Sequence, residues 1–212
     1  FRNLNTPLND FDSRNVLIFG ASSGIGLALA LSLLKRNANV YVSARRGNLL
    51  VQKFSKDNVF QADINDKNDI NRIFSEIKKR SIEIDTVFWC PGIYSPMRFE
   101  NFDVKEAERI ISTNLTSIFF PFSLMIDYWK KNKENYKARS VHWIWVSSVA
   151  GYRGLPGSVA YGPTKAAMNN LAEASYIELK SDNINITLVC PGFVETRLTK
   201  KNNFHMPAII SP

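Results

Sequence analysis

Short apolar runs alternate along the chain with longer segments in which apolar residues recur every three or four positions. The short runs have the length and composition of strands that are buried on both faces. They occupy residues 16–19, 39–43, 58–61, 85–90, 141–147 and 184–189. The longer segments predict helices, and strands that alternate with helices predict an α/β fold with a doubly wound parallel sheet and helices on both faces. No internal repeat or linker interrupts the pattern, so we expect residues 1–212 to form a single domain.

A glycine-rich turn joins the first predicted strand to the first predicted helix. It reads GASSGIG, with Gly20, Gly24 and Gly26, and a turn between strand and helix is the context that a dinucleotide fingerprint requires. Glycines let the backbone approach a pyrophosphate closely, and the unpaired N–H groups of the helix start point at the anion. Ser22 and Ser23 add hydroxyl donors. The pattern favours a Rossmann-type nucleotide site; the alternative is a glycine-rich turn without a ligand.

The end of the second strand bears on which dinucleotide the site would prefer. Ala44 ends this stretch and is followed by Arg45 and Arg46. An NAD-preferring fold usually has an acidic residue here for the ribose 2′-hydroxyl, whereas arginine accommodates a 2′-phosphate. A guanidinium binds phosphate through two parallel hydrogen bonds, and alanine offers a ribose none. The sequence therefore predicts NADP(H), with two ordinary surface arginines as the alternative.

The segment VSSVAGYRGLPGSVAYGPTKAAMNNL carries the candidate chemistry and ends in a predicted helix. Tyr161 and Lys165 stand four residues apart, so their side chains share one helix face. We expect the ammonium to lower the pKa of the phenol from its usual value of about 10, which makes Tyr161 a candidate general acid or base. Ser148 directly follows the apolar segment VHWIWVS, at the sheet edge where α/β folds bind ligands. A tyrosine and a lysine at this spacing also occur by chance, and the glycine turn is what strengthens the interpretation.

Composition limits the kinds of partner. The 212 residues include 27 lysines and arginines against 19 acidic residues, and the net charge of +8 suits an anionic ligand, a nucleic acid or a membrane surface equally. The basic residues are scattered and match no nucleic-acid motif, so we expect no nucleic-acid partner. The cysteines, Cys90 and Cys190, lie outside any C-x-x-C pair and indicate small buried residues in a reducing compartment. The two histidines lie far apart, so no metal site is predicted.

Targeting signals are not evident in the sequence. The amino-terminal stretch lacks the apolar core of a signal peptide, and no apolar run approaches the length of a membrane span. We therefore expect a cytoplasmic protein without a membrane-spanning segment.

Several motifs occur in a fixed order, and together they resemble the classical short-chain dehydrogenase/reductase family from Val16 to about Thr199. The motifs are Gly20-x-x-x-Gly24-x-Gly26, Asp63 after the third strand, Asn114 on the fourth helix, Ser148, Tyr161-x-x-x-Lys165, and Pro191-Gly192 followed by Thr196. Their joint occurrence is far more specific than any one of them alone. The resemblance implies an oxidoreductase that interconverts a ketone or aldehyde with an alcohol by hydride transfer.

The resemblance also implies roles for individual side chains. Tyr161 would exchange a proton with the substrate oxygen, and Ser148 would hold the carbonyl. Lys165 would lower the pKa of Tyr161 and bind the nicotinamide ribose, while Asn114 would fix a water that connects Lys165 to solvent. Asp63 and Ile64 would flank the adenine. With Asn114, Tyr161 and Lys165, the full cofactor set would be Gly20, Ser22, Ser23, Gly24, Ile25, Gly26, Arg45, Arg46, Asp63, Ile64, Gly92, Pro191, Gly192, Val194 and Thr196.

The chain departs from the family pattern in three places. The family often has threonine at Phe19 and Asn-Asn-Ala-Gly where this chain reads Trp-Cys-Pro-Gly over residues 89–92, so polar groups that tie the central strands together are replaced. Family members usually continue into another helix and a seventh strand, whereas this sequence stops at Pro212. The resemblance further suggests a homodimer or homotetramer packed through the two long helices that begin near Asp103 and Ser158.

The leading hypothesis is an NADP(H)-dependent oxidoreductase acting on a small hydrophobic carbonyl compound or alcohol. Bulky residues expected around the substrate lie in 93–99 and 152–156 and at Leu198, Phe204 and Met206. The same residues equally suit ordinary packing of the loops.

Two other classes of function are alternatives to an oxidoreductase. A nucleotide-sensing protein without catalysis uses the same fold, but it would not need the set of Ser148, Tyr161, Lys165 and Asn114. A serine hydrolase built on Ser148 would need a G-x-S-x-G elbow, which is absent, and would have only two histidines available as the base. The oxidoreductase hypothesis accounts for all the motifs.

Overall fold

A sheet of six parallel strands forms the centre of the structure, a computed structural model that describes residues 11–136, 140–202 and 206–212. In chain order its strands and helices are β1 (Asn15–Phe19), α1 (Gly24–Leu34), β2 (Asn39–Ala44), α2 (Gly47–Leu50), β3 (Val59–Gln61), α3 (Lys67–Lys79), β4 (Thr86–Trp89), α4 (Val104–Ile111), α5 (Ser117–Lys131), β5 (Val141–Val146), α6 (Tyr161–Leu179) and β6 (Ile184–Val189). The strands lie in the order β3-β2-β1-β4-β5-β6. The predicted doubly wound parallel fold is confirmed.

The strand order reverses direction at β1. From β1 the chain builds the sheet outward through β2 and β3, and it then returns to add β4, β5 and β6 on the other side. In open α/β sheets the ligand site lies at such a switch point, outside the carboxyl ends of the strands. The residues that follow β1, β4, β5 and β6 therefore share one edge of the sheet.

Apolar clusters cover both faces of the sheet. On one face, Ala30 and Leu33 of α1 and Leu50 of α2 pack with buried strand residues. On the other face, the cluster draws on α3, α5 and α6. The long predicted helix from Asp103 is present, with the Asp103 carboxylate accepting a hydrogen bond from the Glu106 N–H. It contains one wide π-helical turn, Ser112–Thr116, between α4 and α5, and such turns are frequent at functional sites.

Aromatic side chains replace the polar ties that the family pattern has at the centre of the sheet. Phe19 and Trp89 are cross-strand neighbours with ring centroids 4.9 Å apart, and Trp89 lies 6.0 Å from Trp143. Phe122 of α5 packs edge-on against Trp145 at 5.1 Å. Phe19 and Trp89, which stand where the family pattern has polar residues, therefore form one packed pair between β1 and β4.

One helical stretch satisfies the length and composition of a membrane span. Val104–Lys131 runs for 28 residues, and an 18-residue window within it has a mean hydropathy of 1.3, so the absence of a membrane span stays a prediction. The match is weak evidence, since a core helix of a globular protein passes the same test. Ile118, Met125 and Trp129 of this stretch are buried, and the Trp129 indole donates to the Ile84 carbonyl at 2.7 Å. The helix packs on the sheet, and the cytoplasmic location stays a prediction.

Candidate active site

The glycine turn is held tightly against its neighbours at the carboxyl end of β1. Gly20 has a φ of +77°, and a Cβ placed there would lie 2.8 Å from the Pro91 nitrogen. A Cβ on Gly26 would lie 2.6 Å from the Gly20 carbonyl oxygen. Both positions therefore require glycine. The turn is tied to β2 because the Gly20 N–H donates to the Ser43 carbonyl at 2.8 Å.

The start of α1 suits an anionic group. Ser23 precedes the helix in an extended conformation, and its side chain makes no capping hydrogen bond. The first-turn N–H groups and the two serine hydroxyls are therefore available to an external acceptor. A Cβ on Gly24 would meet Thr196 Cγ2 at 3.0 Å, so the turn lies against the segment that follows β6. The chain's own residues thus fit a bound pyrophosphate.

Arg46 rather than Arg45 contacts the glycine turn. Both arginines are exposed, but the Arg46 guanidinium donates to the Ser22 hydroxyl at 3.1 Å. The sequence analysis predicted both arginines as cofactor residues, and the structure pairs the second one with a serine of the turn.

The remaining predicted cofactor residues lie along the same edge. Asp63 follows β3, and its carboxylate accepts a hydrogen bond from the Asn65 N–H at 3.0 Å, while Ile64 packs against the core cluster. After β6, the Pro191 carbonyl accepts from the Val149 N–H at 3.1 Å. This contact joins the segment carrying Pro191, Gly192, Val194 and Thr196 to the turn that follows Ser148.

Ser148, Tyr161 and Lys165 come together at the carboxyl end of β5. Ser148 begins a short 3-10 turn, and its hydroxyl accepts from the Ala150 N–H at 3.1 Å. Tyr161 is the first residue of α6. Lys165 is only 3% exposed, and its Nζ donates to the Val146 carbonyl at 3.1 Å and lies 5.6 Å from the centre of the Tyr161 ring. The helix spacing and the strand end therefore bring the three side chains to one place.

The electrostatics of this cluster differ from the sequence-based expectation. Burial raises the pKa of Tyr161 to about 12, although a hydrogen bond with the Ser148 side chain acts in the opposite direction. Burial also lowers the pKa of Lys165 from 10.5 to about 8. The expectation that Lys165 would pull down the pKa of Tyr161 was wrong for this structure. The reason is that the ammonium is directed at the Val146 carbonyl, and loss of solvent dominates the phenol.

Asn114 lies in the π-helical turn and is fully buried. Its Oδ1 accepts from the Ile93 N–H at 2.8 Å, and its Nδ2 donates to the Ile93 carbonyl at 2.9 Å. A Cβ on Gly92 would lie 3.8 Å from both Asn114 Oδ1 and Lys165 Nζ. Asn114 thus anchors the loop after β4 next to Lys165, and its implied role in holding a water stays a prediction.

The sequence analysis missed Ser147 and Asn169, two side chains that lie next to the cluster of Ser148, Tyr161 and Lys165. The Ser147 hydroxyl donates to Asn169 Oδ1 at 2.6 Å and lies 3.3 Å from the Lys165 carbonyl oxygen. Asn169 stands one helical turn after Lys165 on the same face, so its spacing from Tyr161 and Lys165 was the available signal. Together they fasten α6 to the end of β5.

Loops from both sides border the place where a substrate would reach Tyr161. The Met97 N–H donates to the Gly157 carbonyl at 2.9 Å, which ties the predicted substrate loop 93–99 to the residue that directly follows loop 152–156. Leu198 and Met206 are partly buried, and Phe204 lies outside the described residues. The sequence marked these positions only as bulky and apolar.

Two expectations from the sequence concern a metal site and the histidines that a serine hydrolase would need as its base. No group of three or more histidine, cysteine or acidic side chains that could hold a metal ion occurs among residues 11–136, 140–202 and 206–212. His142 lies in β5 and contacts Thr187 at 2.7 Å, near the opposite end of the strand from Ser148, and His205 lies outside the described residues. Cys90 and Cys190 are free and partly buried.

The sequence matches the family model for short chain dehydrogenases over residues 14–206. The chain therefore belongs to the short-chain dehydrogenase family, and the prediction of an oxidoreductase of this type is confirmed. It is 29% identical over 206 residues to an uncharacterized oxidoreductase of Myxococcus xanthus (strain DK1622), covering 93% of this chain and 78% of that protein. It is 30% identical over 207 residues to the 3-ketodihydrosphingosine reductase of Bos taurus, covering 91% of this chain, but it spans only 60% of that relative's length.

Solved structures share the same fold. The 3-ketoacyl-(acyl-carrier-protein) reductase from Brucella melitensis, complexed with NADH, aligns with a TM-score of 0.82 and 23% identity over 91% of this chain and 81% of that one. ElxO with NADP bound aligns with a TM-score of 0.78 and 26% identity, covering 89% of this chain and 77% of that one.

Proposed function

We propose that the protein is an NADP(H)-dependent oxidoreductase that interconverts a ketone or aldehyde with an alcohol, with Tyr161 as the general acid and base. The observation that carries the proposal is the meeting of Ser148, Tyr161 and Lys165 at the carboxyl edge of the sheet, beside a glycine turn that fits a pyrophosphate. A nucleotide sensor would need the turn but not this cluster of polar side chains. Family membership supports the same choice.

Each of the clustered side chains has a task in this proposal. Tyr161 is a neutral phenol at neutral pH, so it carries the proton that the oxygen of a carbonyl being reduced would take up. Ser148 shares a hydrogen bond with Tyr161 and would orient the same oxygen. A bound nicotinamide cofactor supplies or accepts the hydride. Lys165, held beside the phenol by the Val146 carbonyl, would bind the nicotinamide ribose and so position the cofactor next to Tyr161.

The preference for NADP(H) is supported by Arg46. Its guanidinium already lies against Ser22 of the glycine turn, and a guanidinium with a neighbouring hydroxyl forms a good site for a phosphate. Ala44 leaves no acidic group at the end of β2 to hold a ribose hydroxyl. Among the related structures, one has NADP bound and another NADH.

Binding titrations followed by nicotinamide fluorescence test this preference. We expect NADPH to bind at least about tenfold more tightly than NADH, because the 2′-phosphate adds charge-assisted hydrogen bonds. Arg46→Ala should weaken NADPH binding by about tenfold and leave NADH binding within about twofold. Arg36→Ala, at an exposed arginine beyond the end of α1, is the matched control and should change neither. Equal affinity for both cofactors in the wild type would contradict the preference, and Arg45→Ala shows whether the first arginine contributes.

For the substrate we propose a carbonyl compound with an apolar body. Tyr94 and Met97 are buried beside Tyr161 and Ser158, and Leu198 is partly buried on the facing segment. Relatives include a protein named 3-ketodihydrosphingosine reductase and one named 3-oxoacyl-[acyl-carrier-protein] reductase. Loss of NADPH absorbance in the presence of apolar ketones is the direct assay. Tight NADPH binding without turnover of any carbonyl compound would favour a nucleotide sensor instead.

We also propose a homodimer or homotetramer packed through α5 and α6. The groove between these helices is lined by apolar side chains that include Phe122, Ile126, Leu171 and Leu179, and Phe119 is 51% exposed on α5. Light scattering should give a particle mass of two or four times the chain's 24.1 kDa. A monomer at every concentration would contradict the proposal.

A further inference from the structure

The ring of Tyr94 lies against the ring of Tyr161. The two centroids are 5.2 Å apart and the planes meet at 72°, an edge-to-face contact. Tyr94 is only 9% exposed although it belongs to a loop. One side of the Tyr161 phenol is therefore occupied by a second aromatic side chain.

Backbone contacts on both sides of Tyr94 hold its ring in place. The preceding residue, Ile93, is bound through both its N–H and its carbonyl by the Asn114 amide. The Tyr94 carbonyl accepts a hydrogen bond from Lys201 Nζ at 2.7 Å, although the two residues are 107 positions apart in the chain. Three residues further on, the Met97 N–H donates to the Gly157 carbonyl. The backbone that carries the Tyr94 side chain is therefore fixed by contacts with three separate segments, and these contacts keep the ring beside Tyr161.

The Tyr94 hydroxyl reaches across to the loop that precedes α6. A Cβ placed on Gly157 would lie 4.0 Å from this oxygen, so the ring spans the gap between the two loops that border Tyr161. Space on that side of Tyr161 is limited by the size of the Tyr94 side chain. The phenol of Tyr94 also contributes to the raised pKa of Tyr161, as expected of a close neighbour.

We propose that Tyr94 is a specificity-determining residue that closes one side of the carbonyl site, so that the substrate's substituent on that side must be small. The inference rests on the proposed function, because it assumes that the substrate oxygen meets Tyr161. A ketone with a methyl group on one side fits such a site, and a ketone with a bulky group on both sides does not. Shape complementarity of this kind commonly changes selectivity by 10-fold to about 200-fold.

The test compares acetophenone with benzophenone, in which a phenyl ring replaces the methyl group. The measured quantity is the ratio of kcat/KM for the two ketones with NADPH. We expect the wild type to favour acetophenone, and Tyr94→Ala to shift the ratio toward benzophenone by at least about tenfold. Tyr94→Phe keeps the ring and should keep the ratio. NADPH binding by each variant confirms that it is folded.

A second measurement examines the contact without a substrate. Acetylation of tyrosine hydroxyls by N-acetylimidazole, located by peptide mass spectrometry, reports how accessible each phenol is. Tyr161 should react slowly in the wild type and in Tyr94→Phe, and at least several-fold faster in Tyr94→Ala. Tyr176, which is 51% exposed on α6, is the internal control and should react at one rate in all three proteins.

The outcomes separate this inference from the proposed function. A ratio that is unchanged in Tyr94→Ala, in an enzyme that turns over ketones, overturns the specificity role alone. An unchanged Tyr161 acetylation rate shows that Tyr94 does not cover the phenol and also overturns it. Absence of turnover of any ketone by a wild type that binds NADPH overturns the proposed function, and the specificity role with it.

Discussion

Tyr161→Phe is expected to lower kcat for carbonyl reduction by at least about a thousandfold while NADPH affinity stays within about twofold. The substitution removes one oxygen atom, and that oxygen is the proton donor in the proposed reaction. General acid catalysis by a positioned side chain contributes about 10² to 10⁴ in rate. The phenyl ring that remains keeps its edge-to-face packing on Tyr94, so the site should keep its shape.

Steady-state kinetics and NADPH titration of the same preparation measure the two effects separately. Tyr176→Phe is a matched control, because Tyr176 lies on the same helix and is exposed. That variant should keep wild-type kcat. If Tyr161→Phe retained more than about a tenth of the wild-type kcat, proton transfer by Tyr161 would be excluded.

Lys165→Met is expected to abolish most of the turnover and, at neutral pH, to stabilise the fold. Turnover falls because the bound cofactor loses the side chain that would position its nicotinamide ribose next to Tyr161. Stability rises because Lys165 is 3% exposed and burial lowers its pKa from 10.5 to about 8, which corresponds to about 3 kcal/mol of unfavourable free energy for the charged form. The variant leaves the Val146 carbonyl without this donor, which offsets about 1 to 2 kcal/mol. We expect a net gain of about 1 to 2 kcal/mol in the free energy of unfolding at pH 7.

The stability advantage of Lys165→Met over the wild type should decrease as the pH rises. The folded pKa of Lys165 lies below the unfolded value, so between about pH 8 and pH 10.5 the unfolded chain binds more protons than the folded chain. The stability of the wild type therefore rises with pH through this window. The advantage of Lys165→Met is complete below pH 8 and disappears as pH approaches 10.5.

Urea unfolding at pH 7 and pH 10 measures this difference. Lys180→Met provides the control, because Lys180 is exposed directly after α6 and its removal should change the free energy of unfolding by less than about 0.5 kcal/mol. A Lys165→Met variant that is less stable than the wild type at pH 7 would show that burial of the ammonium is fully compensated in the folded protein.

At the centre of the sheet, Phe19 and Trp89 both depart from the family pattern, and a single contact between their rings explains both departures. The pairing of β1 with β4 places Phe19 opposite Trp89, and the rings then pack with Trp143 of β5. Within the described part of the chain the indole N–H groups of Trp89, Trp143 and Trp145 have no hydrogen-bond partner. Apolar contact therefore stabilises the strand ends that carry the site, in place of side-chain hydrogen bonds.

Local sequence was sufficient for the fold and for the position of the candidate site. Buried strands need unbroken apolar runs, so each run predicted a strand within one or two residues of its observed ends. The glycine turn could also be predicted from the sequence. A Cβ at Gly20 or Gly26 would collide with backbone, so the turn requires glycine at these positions and leaves a recognisable glycine pattern. The four-residue spacing of Tyr161 and Lys165 is a property of the helix itself.

The tertiary structure decided the features that depend on contacts between distant segments. The pairing of Arg46 with Ser22, the cover that Tyr94 forms over Tyr161, and the pKa directions of Tyr161 and Lys165 all belong to this group. A pKa depends on how much solvent the surrounding segments remove, and a neighbouring charge is only one contribution to it. The sequence by itself therefore determined which chemical groups meet at the sheet edge, whereas the packing of remote loops determined their protonation and the space around them, because burial is a property of the whole fold.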